Sequence, residues 1–294
     1  MLAIAGDSAS GKTTVANGLV QALGLDRCTS LSTDDYHRFD RVERRARRLT
    51  PLHPDCNYLD IMEQHLQLLA AGNPVLKPVY DHSTGLLGCP ELVEPNDVII
   101  VEGLLPLCSK VSRACFDITV FLDPDEPTRR GWKLRRDTVT RGYDPHQVLA
   151  ELAAREPDAK AYVRPQRQYA DIVVRFGPIN GRDDPPQTPL SAEVLMRPTR
   201  QQPDLSVALR PELTRTIHLR LARDCDGRPV DCLHIHGYAS KIDSRIVETA
   251  IWEKIAGACA VQPEGLGRVD PDLRSTPLAI TQMLLLHHLF ETMR

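Results

Sequence analysis

Residues 6–13, GDSASGKT, fit the pattern G-x-x-x-x-G-K-[ST] at every fixed position. Gly6 and Gly11 permit backbone angles that turn successive N–H groups inward, a cradle for anionic oxygens. A helix beginning near Lys12 adds the positive end of its dipole. The Lys12 ammonium can reach β- and γ-phosphates, and the Thr13 hydroxyl can hold Mg²⁺. The flanks agree, since LAIA (2–5) reads as a short buried strand and VANGLVQAL (15–23) as a helix. Gly6, Asp7, Ser8, Ala9, Ser10, Gly11, Lys12, Thr13 and Thr14 are therefore the expected ATP-binding segment. A glycine turn that binds nothing is the bland alternative.

Outward from this loop, the apolar runs DVIIVEG (97–103), ITVFLD (118–123) and DIVVRF (171–176) alternate with helical spacing at 12–23, 58–71, 125–141 and 145–155. That alternation predicts an α/β fold of the P-loop NTPase type, a mainly parallel sheet with helices on both faces. Residues 28–32 add a further strand. Three segments are expected: a kinase-like core over 1–177, a Pro-rich linker or surface excursion over 178–204, and a C-terminal α+β extension over 205–294. In the extension, TRTIHLRLA and DCLHIHGY flank an Asp-Gly turn and predict a hairpin. Helices are expected over 242–258 and 278–293.

The 294 residues carry 26% charged side chains and a net charge of −3, which argues against nucleic acid as a partner. No apolar run reaches membrane-spanning length, and no cleavable signal is expected at the start. Eight cysteines lie scattered without metal spacing, as reduced thiols in a cytoplasmic protein would. Cys225 and Cys232 flank the hairpin turn and are expected to be free. His234, His236, His287 and His288 match no metal spacing and read as structural.

Local charge is another matter. STDDYHRFDRVERRARRL (32–49) sets Asp34 and Asp35 ahead of six arginines in residues 38–48. At a strand end beside the phosphate loop, one carboxylate could take a hydroxyl proton from an anionic acceptor. Either aspartate could instead cap a helix or make a turn. His37 and Arg41, a helical turn apart, could meet one anionic group. Arg44, Arg45, Arg47 and Arg48 are expected to be exposed or to steer. Glu102, ending DVIIVEG, could position Mg²⁺. Arg129, Lys133 and Arg136 share a helical face, with Asp137 and Arg141 as i, i+4 neighbours, an arrangement suited to a basic lid.

GDSASGKTT, TDDYHRFDR, KPVYDHSTG, VEGLLP, WKLRRDTVTRGY and AYVRPQRQYAD, in that order, resemble the phosphoribulokinase and uridine kinase superfamily. They are more similar to plant and cyanobacterial phosphoribulokinases than to the shorter uridine kinases. The resemblance covers residues 1–176 and is weaker beyond. It implies an ATP- and Mg²⁺-dependent kinase acting on the 1-hydroxyl of ribulose 5-phosphate. Asp34 would be the base, Lys12 and Asp137 further catalytic groups, and Thr13 with Glu102 the metal residues. His37, Arg41, Tyr80, His82, Lys133, Arg136 and Arg141 would contact substrate. It further implies a homodimer, joined by the 278–293 helix or a sheet edge.

There are departures. The plant enzymes' redox cysteines correspond to Ser10 and Ser32, so no redox switch is expected at the ATP site. Leu105 replaces the family's histidine. The rival readings are a uridine or other small-metabolite kinase, and an ATP-binding regulatory or scaffold protein without fast turnover. The basic run behind Asp35 disfavours the first and the intact Asp34 and Lys12 the second.

Overall fold

The computed structural model describes residues 1–179, 181–185, 187–256, 262–270 and 272–293. Cys259, residues 257–258 of the expected helix 242–258, and positions 180 and 186 of the Pro-rich segment lie outside them. The chain divides into two compact units. The first is Met1–Lys12, Leu25–Phe121 and Glu126–Tyr169; the second is Thr13–Gly24, Leu122–Asp125 and Ala170–Arg294.

In the first unit, β1 (Leu2–Gly6), β2 (Cys28–Ser32), β3 (Val98–Gly103) and β4 (Ile118–Leu122) lie in the order β4–β1–β3–β2. β1 and β4 are buried throughout, which is why they read as unbroken apolar runs and not as alternating ones. The β1–β3 and β2–β3 ladders are parallel, with Glu102 opposite both Ile4 and Ser32. Three strands therefore end level. The phosphate loop, the acid pair and Glu102 all leave from the carboxyl edge, where open α/β sheets bind ligands.

Helix α1 (Lys12–Leu23) follows the phosphate loop directly in the chain. α2 (Arg41–Ala46) is fixed by a capping box, in which Asp40 accepts from the Val42 and Glu43 N–H groups while Glu43 reaches back. α3 (Leu59–Ala70) and the short α4 (Lys110–Ala114) come next. The helix expected over 125–141 is interrupted. α5 (Glu126–Arg135) widens into a π-helical turn at Arg136–Thr140, with the Asp137 carboxylate buried among basic side chains. α6 (Pro145–Asp158) starts on an Asp144 cap with Pro at its first position.

The second unit contains α1 and the antiparallel strands β5 (Ile172–Gly177), β6 (Ser191–Met196), β7 (Ile217–Arg223) and β8 (Pro229–Ile235), in the order β7–β8–β6–β5. β6 falls inside 178–204, the stretch expected to be a linker. Flanking prolines hide it in the sequence, and burial on both faces removes the alternation that marks a half-exposed strand. The β7–β8 hairpin turns at Asp224–Gly227, as Asp-Gly predicts. α7 (Lys241–Ala256) and α8 (Thr276–Thr292) complete the unit. α8 is buried continuously from Pro277 to Leu289. It serves this chain's own core, so it does not offer the free apolar face that a subunit contact needs. β7 is the terminal strand of its sheet and leaves Leu219 and Leu221 exposed.

Candidate active site

The loop between β1 and α1 curls on itself. Ala9 takes φ 63°, and the Ser10 N–H donates to the Asp7 carbonyl at 3.2 Å. Lys12 Nζ donates to the same carbonyl at 2.9 Å. Asp7 Oδ2 and Ser10 Oγ are buried with no hydrogen-bond partner. Arg129 braces the loop from α5, donating to the Ser8 carbonyl at 3.1 Å and lying 3.5 Å from Asp7 Oδ2. Such a curled loop at a helix start, with its lysine folded over it, suits a polyphosphate.

Beside it, the end of β3 positions the acid pair. A Cβ on Gly103 would lie 1.8 Å from Thr33 Oγ1, so only glycine admits the short helix Thr33–Tyr36 this close. That helix carries both aspartates and gives them different fates. Asp35 is consumed by structure: Lys77 Nζ lies 2.5 Å from its Oδ2, and the Tyr80 N–H donates to its Oδ1 at 3.1 Å. Asp34 Oδ1 is buried with no partner, while its Oδ2 lies 3.8 Å from His82 Nε2. A buried carboxylate oxygen held without a donor is costly, a cost that a bound hydroxyl would relieve. Of the pair, Asp34 is thus the one whose carboxylate keeps an oxygen without a donor.

A cavity of about 250 Å³ opens in front of Asp34, with Ser8 of the phosphate loop in its wall. Six arginines (Arg41, Arg44, Arg45, Arg136, Arg141 and Arg155), Lys133 and three carboxylates (Asp34, Asp137 and Glu151) line it. His37, Tyr80 and His82 complete the expected set around it. Lys12, Thr13 and Glu102 are not in this lining.

The basic groups are individually held. Arg41 Nη2 donates to the His82 carbonyl at 2.7 Å. Its side chain passes so close to Gly85 that a Cβ there would meet Arg41 Nε at 2.7 Å. Arg44, expected on the surface, is buried instead. Its Nη2 donates to Tyr80 Oη at 3.3 Å, and its Nη1 has no partner. Asp137 gathers three cations, with Lys133 Nζ at 2.6 Å, Arg136 Nε at 2.8 Å and Arg141 Nη1 at 3.4 Å. Burial alone would raise its carboxyl, but the hydrogen bonds and charges of Arg136 and Lys133 prevail and hold it below the ordinary range. Burial pulls the Lys133 ammonium down to about 8; Arg155 adds to this and Asp137 opposes it.

Burial lowers the His37 pKa, against the raising effect of Asp34. Asn57 Nδ2 donates to the carbonyls of Pro51 and His53, so Asn57 Oδ1 is the acceptor for His37 Nδ1–H at 2.7 Å. A neutral His37 then presents a lone pair on Nε2, a partner for a hydroxyl. Burial likewise lowers His82, and Arg141 and Arg136 reinforce this against Asp34. Leu105 is 2% exposed and packs with Leu52, Leu104, Ala159 and Val163, away from the lining. No disulfide joins Cys225 to Cys232, and Cys28, Cys56, Cys89, Cys108 and Cys115 are thiols as well. Arg44, Arg155 and Glu151 were missed. Their signals were faint: i, i+3 spacing of Arg41 with Arg44, and i, i+4 spacing of Glu151 with Arg155.

Residues 1–181 match the profile of the phosphoribulokinase/uridine kinase family. Phosphoribulokinase of Synechocystis is 42% identical over 178 residues, 60% of this chain and 54% of that protein. The chloroplastic phosphoribulokinase of Mesembryanthemum crystallinum is 34% identical, over 60% of this chain and 49% of its own. A uridine kinase of Chloroflexus aurantiacus is 37% identical, over 60% of this chain and 87% of its own. The chain thus spans about half the length of these phosphoribulokinases. The fold is shared with a solved phosphoribulokinase from Rhodobacter spheroides, at a TM-score of 0.59 and 18% identity, covering 83% of this chain and 91% of that one. With the profile matching well over half of its residues, this chain belongs to the phosphoribulokinase/uridine kinase family.

Proposed function

We propose that this protein is an ATP-dependent kinase that phosphorylates the 1-hydroxyl of ribulose 5-phosphate, giving ribulose 1,5-bisphosphate and ADP. The observation that carries the reading is the unpartnered Asp34 carboxylate oxygen in a cavity dominated by arginine and lysine. An acceptor that already carries a phosphate needs cations to bind, and its hydroxyl needs a carboxylate to take the proton. The similarity to the Synechocystis enzyme supports the same substrate.

In this mechanism the phosphate loop and Lys12 hold the triphosphate. Arg41, Arg44 and Arg141 receive the sugar phosphate, and the neutral His37 accepts a hydrogen bond from a sugar hydroxyl. Asp34 takes the proton of the attacking hydroxyl as the γ-phosphoryl group departs from ADP. Lys133 and Arg136, held by Asp137, balance charge on the transferring group. Asp137 acts by positioning these cations. Thr13 and Glu102 offer the kinds of oxygen, hydroxyl and carboxylate, that a hard cation takes. Mg²⁺ there would neutralise charge on the β- and γ-oxygens. We also carry a cytoplasmic location and a homodimer as part of the proposal, with the exposed edge strand β7 as the contact; light scattering tests the mass.

The decisive experiment is a panel of pentose phosphates and nucleosides with purified protein and MgATP. Transfer to ribulose 5-phosphate far above the rest supports the reading. Preference for uridine, which the Chloroflexus similarity makes the second reading, overturns it. Absence of single-turnover transfer to any acceptor would leave a binding protein.

A further inference from the structure

We propose that His218, His234 and His236 form a site for one divalent first-row transition ion of the Zn²⁺ class, its fourth position left to solvent. The register of the β7–β8 hairpin puts His218 directly opposite His234. His236 lies two residues beyond His234, and its N–H continues the ladder to the Thr216 carbonyl at 2.9 Å, so the two rings share a face. The rings of His234 and His236 stack at 4.7 Å, and His218 lies 5.1 and 5.5 Å from them. One ligand nitrogen from each falls within 4.8 Å of the others, the one such group of three among the described residues.

A point equidistant from nitrogens at that spacing lies about 2.8 Å from each, and Zn–N bonds near 2.0–2.1 Å require each ring to move inward by about 0.7 Å. Small χ rotations supply this. His236 Nδ1 is buried with no hydrogen-bond partner, a cost that a bound ion or a reoriented ring relieves. Burial lowers all three pKa values, His234 to about 4; neighbouring imidazoles add to this at His234 and His236, Arg220 at His218 and His234, and Arg182 at His236 against Asp184. The charged neighbours are paired with one another: Glu193, opposite His234, takes Arg220 at 2.5 Å and Arg175 at 3.7 Å, and Arg182 meets Asp184 at 3.0 Å near His236. Three imidazole nitrogens, with Glu193 already engaged by arginines, select Zn²⁺, Co²⁺, Ni²⁺ or Cu²⁺ over Mg²⁺ or Ca²⁺.

The test is titration of chelator-stripped full-length protein with Co²⁺ in excess Mg²⁺, followed by its visible absorption. The wild type should take up one equivalent with a tetrahedral spectrum, and Zn²⁺ should raise its melting temperature. The double variant His218→Gln, His236→Gln changes the two half-exposed positions and keeps buried His234. It should bind more than ~100-fold more weakly and melt no higher with Zn²⁺ than without it. No saturable equivalent in the wild type, or undiminished binding by the variant, overturns the proposal. Should the variant misfold, histidine ring signals of the wild type decide. Co²⁺ should shift three of the ten together, and shifts confined to any other set refute the site.

Discussion

The cavity of the first unit and the histidine face of the second both concentrate basic side chains, yet they offer opposite chemistry. In the cavity the bases are mostly arginines, which stay charged whatever their burial, and few carboxylates offset them. On the β7–β8 face the bases are imidazoles, which burial discharges, so they present lone pairs. The first arrangement calls for an anion and the second for a soft cation. Counting basic residues does not separate them; only the response of each group to burial does.

The largest effect expected is at Asp34. Asp34→Asn should lower turnover by ~10³-fold or more with little change in the KM for ATP. Turnover near that of the wild type would remove the anion-and-base account of the cavity. Next, Asp137→Asn strips the counter-charge from buried Lys133 and should cost about 3 kcal/mol of stability, read by denaturant unfolding. Arg44→Ala should raise the KM for the sugar phosphate by ~30-fold, about 2 kcal/mol of a charged hydrogen bond, with kcat less affected. An unchanged KM would make Arg44 a packing residue. The pH profile then tests the charge itself. The Lys133 cation is present below its lowered pKa of about 8 and lost above it, so kcat/KM should fall on the alkaline side from that point. Lys133→Arg should remove that limb. Smallest of all, His218→Gln should leave turnover within twofold; a large loss would tie the histidine face to the phosphoryl transfer.

Features encoded locally were legible in the sequence. The phosphate loop, β1 and α1 each depend on neighbouring residues, and α1 runs from Lys12 to Leu23 as its spacing predicts. Choices settled by distant residues were not legible. Asp34 and Asp35 are equivalent in the chain until Lys77, 42 positions away, takes one of them. Arg44 looks like surface charge because α2 is too short to show a buried face, and Tyr80 supplies its cover. β6 lacks alternation because both of its faces are buried. His218 joins His234 and His236 only through hairpin register.

The embedding of α8 bears on how the molecule comes into being on the ribosome. Gln282 donates to the Thr14 and Val15 carbonyls, and a Cβ on Gly18 would lie 2.0 Å from its Nε2. The helix that follows the phosphate loop is thus sewn to a residue translated 268 positions later. A nascent chain cannot complete this cover of α1 until Gln282 has been made, so ATP capture should come only after α8 has been translated.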